Sequence, residues 1–202
     1  MKVYVETNFL VEVALAQEES ASCEEILSLS EAGSAQLIFP AFCVPEAYHV
    51  LVGRHLGRVR FLNQIDEQLA QLQRSATFKA SAELAAVQRS LTTSTQDEEA
   101  RFRSCVNRLI AAARLVPLTS EVLKLSHSWQ NKSGLKLPDS VVLASVTFDL
   151  QESQHDAACF VTRDKGVTED PDIRNHLHSL KCELKHRFAA GLGYVRAHMP
   201  KS

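Results

Sequence analysis

Four acids sit at the joints of this chain. Glu6 follows the β-branched and aromatic run "KVYV", and Asp164 follows "CFVTR", each where a buried strand gives way to the next segment. Glu46 lies in "VPEAYHVL" and Asp139 in "LPDSVVLASV", in the opening turns of segments that begin with proline and read as helices. Ligands bind beyond the carboxyl ends of the strands of an open parallel sheet, so four acids facing that edge would share one crevice. Crowded carboxylates push one another's pKa upward, and a hard divalent cation relieves the repulsion. Oxygen-only donors favour Mg²⁺ or Mn²⁺ over zinc. One or two such ions activate water and neutralise a phosphate during in-line displacement. Thr7, Asn8 and Thr162 are short polar residues beside these acids, suited to orienting them.

The elements needed to position these acids can be read from the hydrophobic pattern. After "KVYV", a helix over about 8–17 carries Phe9, Leu10, Val13 and Ala14 on one side. A second helix starts near Ser20 or Ser22 and stops at Gly33, and "AQLIFP" is a strand closed by Pro40. The helix carrying Glu46 begins near Val44–Pro45. From about 54 to 114 an Ala-, Leu-, Gln- and Arg-rich stretch without proline predicts two or three helices, with a break near "LTTSTQDEE" capped by Ser94 or Thr95. "LVPLT" is a strand, "SEVLKLSHSWQNKSG" a helix closed by Gly134, and "AACFVTRD" a buried strand. "DPDIRNHLHSL" is a turn plus helix, and the last fifteen residues have no clear form. Strands alternating with helices imply a parallel sheet covered on both faces. The expectation is one α/β domain over residues 1–202 with a helical elaboration at about 54–114.

The stretches "VYVETNFLVEVAL", "VPEAYHVL", "LPDSVVLASV" and "CFVTRDKGV", in this order, resemble the signature blocks of the PIN-domain nucleases. That family includes the VapC-like toxin halves of bacterial toxin–antitoxin pairs. The resemblance covers about residues 1–53 and 115–185. It implies a metal-dependent endoribonuclease, with Glu6, Glu46, Asp139 and Asp164 at the acidic positions and Asn8 and Thr162 as polar helpers. Of these, Glu6, Asp139 and Asp164 would hold the Mg²⁺ or Mn²⁺. It also implies RNA as substrate and an antitoxin protein as partner. Two positions depart from the family pattern. Glu6 stands where an aspartate is usual, and Gly166 stands where a second acid often follows the last aspartate, a role Asp170 or Asp172 could fill.

Other readings compete. A PIN-like fold could serve as a binding or regulatory module without catalysis. The pairs "EAYH" (Glu46, His49) and "ESQH" (Glu152, His155) have the Glu-x-x-His spacing of di-iron bundles, which would make the chain an oxidoreductase, though that site needs further glutamates on two other long helices. Acids in first turns are also stabilised by the helix dipole alone.

Net charge is −2, so no global field advertises nucleic-acid binding. Local cations do: Arg54, Arg58 and Arg60, then Arg101, Arg103, Arg108 and Arg114, with Arg54, Arg58, Arg101 and Arg103 as candidate RNA contacts. The bland alternative is a solvated helix face balanced by Glu83, Asp97, Glu98 and Glu99. Trp129 reads as core beside Val122 and Leu125, and the stripe Leu69, Leu72, Ala76 as packing, a dimer face or a docking face. Five scattered cysteines without C-x-x-C pairing fit reduced core residues. With no signal peptide and no apolar run near the roughly 20 residues of a membrane span, a cytoplasmic chain is expected. Closed homodimers are common enough to expect one here.

Overall fold

The computed structural model describes residues 1–75 and 82–199. In chain order it runs β1 (Lys2–Val5), α1 (Thr7–Ala14), α2 (Ser20–Glu31), β2 (Gln36–Pro40), α3 (Cys43–Leu72) and α4 (Ala82–Ala112). Then follow β3 (Arg114–Val116), α5 (Ser120–Ser133), α6 (Leu137–Glu152), β4 (Ala158–Val161), α7 (Lys165–Thr168), α8 (Pro171–Ser179), β5 (Cys182–Lys185) and α9 (Phe188–His198). The strands form one sheet in the order β3-β2-β1-β4-β5, with every neighbouring pair parallel. This is an α/β fold, and its central strands β1 and β4 are wholly buried, as apolar runs covered on both faces must be.

Strand alternation decides what reaches the functional edge. Tyr4 pairs with Phe160 and Val5 with Val161 across β1 and β4, so Tyr4 and Phe160 share one face and the two valines share the other. The first face meets α6. Tyr4 Oη donates to Asp149 Oδ2 at 2.7 Å, and Lys2 and Arg114 also pair with that carboxylate. The second face meets α9, where Gly191 comes so close that an added Cβ would lie 2.5 Å from Val161 Cγ2. Carried one step past each strand, the same alternation turns Glu6 and Thr162 toward the α6 side and Arg163 toward α1.

Several local signals act as their chemistry dictates. Thr119 caps α5 by accepting from the Val122 N–H, and Gly134 ends it at φ 65°. Pro138 opens α6. All five cysteines are free and buried, and Trp129 is buried.

Two expectations are corrected. No break occurs near Ser94: α4 runs through it, because the Thr95 hydroxyl donates to the Leu91 carbonyl and the Ser94 hydroxyl to Glu98, inside the helix. The final segment is ordered as α9, preceded by the unforeseen edge strand β5, which has one fully buried residue and so little apolar signal. The long α3 and α4 form an arm: α3 buries Cys43, Ala47 and Leu51 but nothing beyond. Leu72 is exposed on that arm, and Ala76 lies outside the described residues. Among the described residues no helix is long and apolar enough to cross a membrane.

Candidate metal centre

Beyond the carboxyl ends of β1 and β4 lies a cleft of about 190 Å³. Its polar wall is Glu6, Thr7, Asn8, Glu46, Asp139, Thr162 and Asp164, and its apolar floor includes Val142 and Phe160. The four acids named from the sequence therefore meet in one place, with Asn8 and Thr162 among them.

Each acid is held differently. Glu6 is the N-cap of α1: its Oε2 accepts from the Asn8 backbone N–H at 2.8 Å and its Oε1 from Asn8 Nδ2 at 3.0 Å. The Arg163 N–H adds a long contact to Oε1 at 3.5 Å. Glu46, in the first turn of α3, accepts from the Thr7 hydroxyl. Asp164 caps the short α7 through the Val167 N–H at 3.1 Å, and its own N–H is held by Thr162 Oγ1 at 3.0 Å. Asp139 lies in the opening turn of α6, beside the Asp164 and Glu46 carboxylates.

The electrostatics are those of a site short of positive charge. Burial lifts the Glu6 carboxyl to about 7, against the pull of the Asn8 donors. Asp139 is lifted to about 6 by burial first, then by the Asp164 and Glu46 carboxylates, with Lys136 opposing weakly. Among the described residues no group of three or more His, Cys, Asp and Glu side chains stands close enough to hold a metal ion directly. The donor set is nonetheless oxygen-only and the cleft has room for water, which fits Mg²⁺ or Mn²⁺ kept partly hydrated better than a dry cage.

Asp170 and Asp172 do not line the cleft. Asp170 caps α8, accepting from the Asp172 and Ile173 N–H groups, and Asp172 pairs with Lys132 at 3.8 Å. A Cβ at Gly166 would lie 3.0 Å from Asp164 Oδ1, so a side chain there presses on the acid itself. The Glu-x-x-His pairs are also separated. Glu46 faces the cleft near the start of α6, Glu152 ends that helix, and His155 bonds the Leu180 carbonyl at 2.8 Å. Thirteen helical residues span about 20 Å, so these pairs share no metal.

Among the arginines, Arg58 is committed to Glu98 through two 2.7 Å bonds, and Arg101 Nε donates to the Ala14 carbonyl at 2.9 Å. Arg54 and Arg103 are exposed, the latter 3.3 Å from Glu99. Sequence reading missed Glu12, which is 1% exposed and ion-paired with Arg163. Its signal was an acid inside the apolar run "NFLVEVAL".

A family profile described as PIN domain matches residues 3–166. The chain belongs to the PIN-domain family. No curated protein matches it. Among solved structures, this PIN domain is similar to one described as the crystal structure of VapBC2 from Rickettsia felis bound to a DNA fragment from their promoter. That similarity has a TM-score of 0.43 and 9% identity, over 91% of this chain and 98% of that one.

Proposed function

We propose that this PIN domain is an endoribonuclease that hydrolyses phosphodiester bonds with one or two Mg²⁺ or Mn²⁺ ions. The observation that carries the reading is the single cleft in which Glu6, Glu46, Asp139 and Asp164 converge from four separate segments. Asp139 and Asp164 would hold the ion, with Glu6 completing the donor set. Bound there, a divalent ion supplies countercharge for the acids and for the phosphate under attack. Glu46, anchored by Thr7, would orient the attacking water and accept its proton on a carboxylate oxygen. Asn8 fixes Glu6, and Thr162 fixes the backbone of Asp164. Phe160 and Val142 give the cleft an apolar floor, which strengthens charge interactions above it.

The resemblance to toxin halves of toxin–antitoxin pairs points to an antitoxin as partner protein. Five buried free cysteines suit a reducing cytoplasm.

A second reading, a PIN domain that binds without cleaving, is favoured by one observation: both Glu6 oxygens already serve α1 and its neighbours. Cleavage of a labelled single-stranded RNA with Mn²⁺ or Mg²⁺, comparing wild type with Asp164→Asn and Asp139→Asn, separates the two. Metal-dependent cleavage lost in both variants supports the nuclease. Stabilisation by Mn²⁺ without cleavage of any RNA or DNA supports the binding module.

A further inference from the structure

Among the described residues, the arm formed by α3 and α4 has an apolar face left uncovered. Beyond Leu51 no residue of α3 is buried, so about 21 residues, roughly 30 Å of helix, run on with α4 alongside. On this arm Phe61, Ile65, Leu69 and Leu72 of α3 and Leu84 of α4 line a groove of about 370 Å³. Gln64 and Gln68 contribute only aliphatic stems to its wall, which presents no polar surface. Phe61 is 51% exposed and Leu72 50%. Helical stability comes mainly from burying such a face, and a two-helix arm cannot bury it alone.

Charge says what covers it. Arg58 and Asp66 of α3 bond to α4, so by the helical period Arg60 and Glu67, both exposed and two turns apart on one ridge, fall on the flank away from it. A second copy of the arm, laid antiparallel about a two-fold axis near Asn63–Gln64, sets Arg60 of each copy opposite Glu67 of the other. In an antiparallel helix pair, positions on the same flank face one another, so one axis satisfies both pairs and seats Phe61 of each copy in the groove beside Gln64. Phosphate has no donor in this wall, which sets the groove apart from an RNA track.

We propose that the arm is the dimerisation element of this protein, two arms pairing antiparallel into a four-helix bundle about an axis near Asn63–Gln64. This holds independently of the nuclease reading, because the groove shares no residue with the acidic cleft.

Sedimentation equilibrium of the full chain tests it. Wild type is expected to be dimeric at about 100 µM, with Phe61→Glu monomeric and its thermal melt otherwise cooperative. Arg60→Glu or Glu67→Arg alone places like charges opposite twice and should weaken the dimer about tenfold, and the double swap should restore it. Residues on a two-fold axis meet themselves, so Gln64→Cys should cross-link under mild oxidation while Arg103→Cys does not, the native cysteines being buried. A monomeric wild type would overturn the proposal and leave the groove to a different protein. A dimer indifferent to Phe61→Glu, or a double swap no tighter than its parents, would equally overturn it.

Discussion

The Glu12 carboxylate and the Arg163 guanidinium form an ion pair that ties α1 to the backbone between Thr162 and Asp164. Glu12 is 1% exposed and also receives the Glu19 N–H at 3.0 Å, whereas the Arg163 side chain is 41% exposed. The segment that carries Asp164 is thereby braced from the face of the sheet opposite the cleft.

The asymmetry of that pair makes a prediction. Removing Glu12 leaves Arg163 free to reach water, while removing Arg163 strands a carboxylate in the core. Glu12→Gln should therefore cost about 1–2 kcal/mol and Arg163→Met about 3 kcal/mol, the discount in the first case reflecting solvent at the guanidinium. Urea titrations of both variants measure this. Equal losses would show that the pair is already screened.

The acidic cleft sets the pH dependence of the metal-free protein. Glu6 titrates near 7 in the fold against an ordinary value of 4.5, and Asp139 near 6 against 3.8. Between the unfolded and folded values the native state holds more protons, so its stability falls as pH rises. Below about pH 4 these groups cost nothing, and above pH 7 the Glu6 cost alone reaches about 3 kcal/mol. Denaturation midpoints should drop from pH 5 to pH 7.5 without metal, and Mn²⁺ should recover much of the loss at pH 7.5. A flat profile in chelator would show that the acids are not crowded in solution.

The alternation of strands with helices, and hence a parallel sheet, made the place of these acids legible beforehand. An acid just past a buried strand emerges at the strand's carboxyl edge, and parallel connections put all such edges on one side. That logic placed Glu6 and Asp164, and proline-opened helices placed Glu46 and Asp139. Legibility failed where a side chain's partner is remote in sequence. Arg58 reads as a free cation until Glu98, forty residues on, is folded against it. Asp170 reads as a spare ligand until its cap on α8 is seen. Edge strand β5 escaped notice because a four-residue strand with one buried position carries almost no periodic signal.

Gly166 tests how tightly Asp164 is held. A methyl at this position meets Asp164 Oδ1 at 3.0 Å, closer than ordinary contact, so the carboxylate must shift by a few tenths of an ångström. Gly166→Ala should change global stability by no more than about 0.5 kcal/mol, the site being exposed. Divalent-ion affinity should nevertheless weaken several-fold, because ligand position matters on that scale. Isothermal titration with Mn²⁺ measures it, and unchanged affinity would mean that Asp164 does not ligate through Oδ1.

The arm has its own acid-sensitive lock. Glu98 is 4% exposed, and burial alone would raise its pKa, yet the Arg58 bonds, helped by Ser94 and His55, outweigh this and hold it below its ordinary value. A depressed carboxylate stabilises the fold above its ordinary value of 4.5, and that contribution drains away as pH falls through the lower folded value. Glu98→Gln should lower stability by about 2 kcal/mol at pH 7, and the difference from wild type should shrink below about pH 4. Hydrogen exchange of amides in α3 and α4 reads it locally: the variant should lose protection along the arm while the buried strands β1 and β4 keep theirs. Loss spread evenly over the sheet would mean that arm and core unfold as one unit, and that Arg58 and Glu98 stabilise the whole domain.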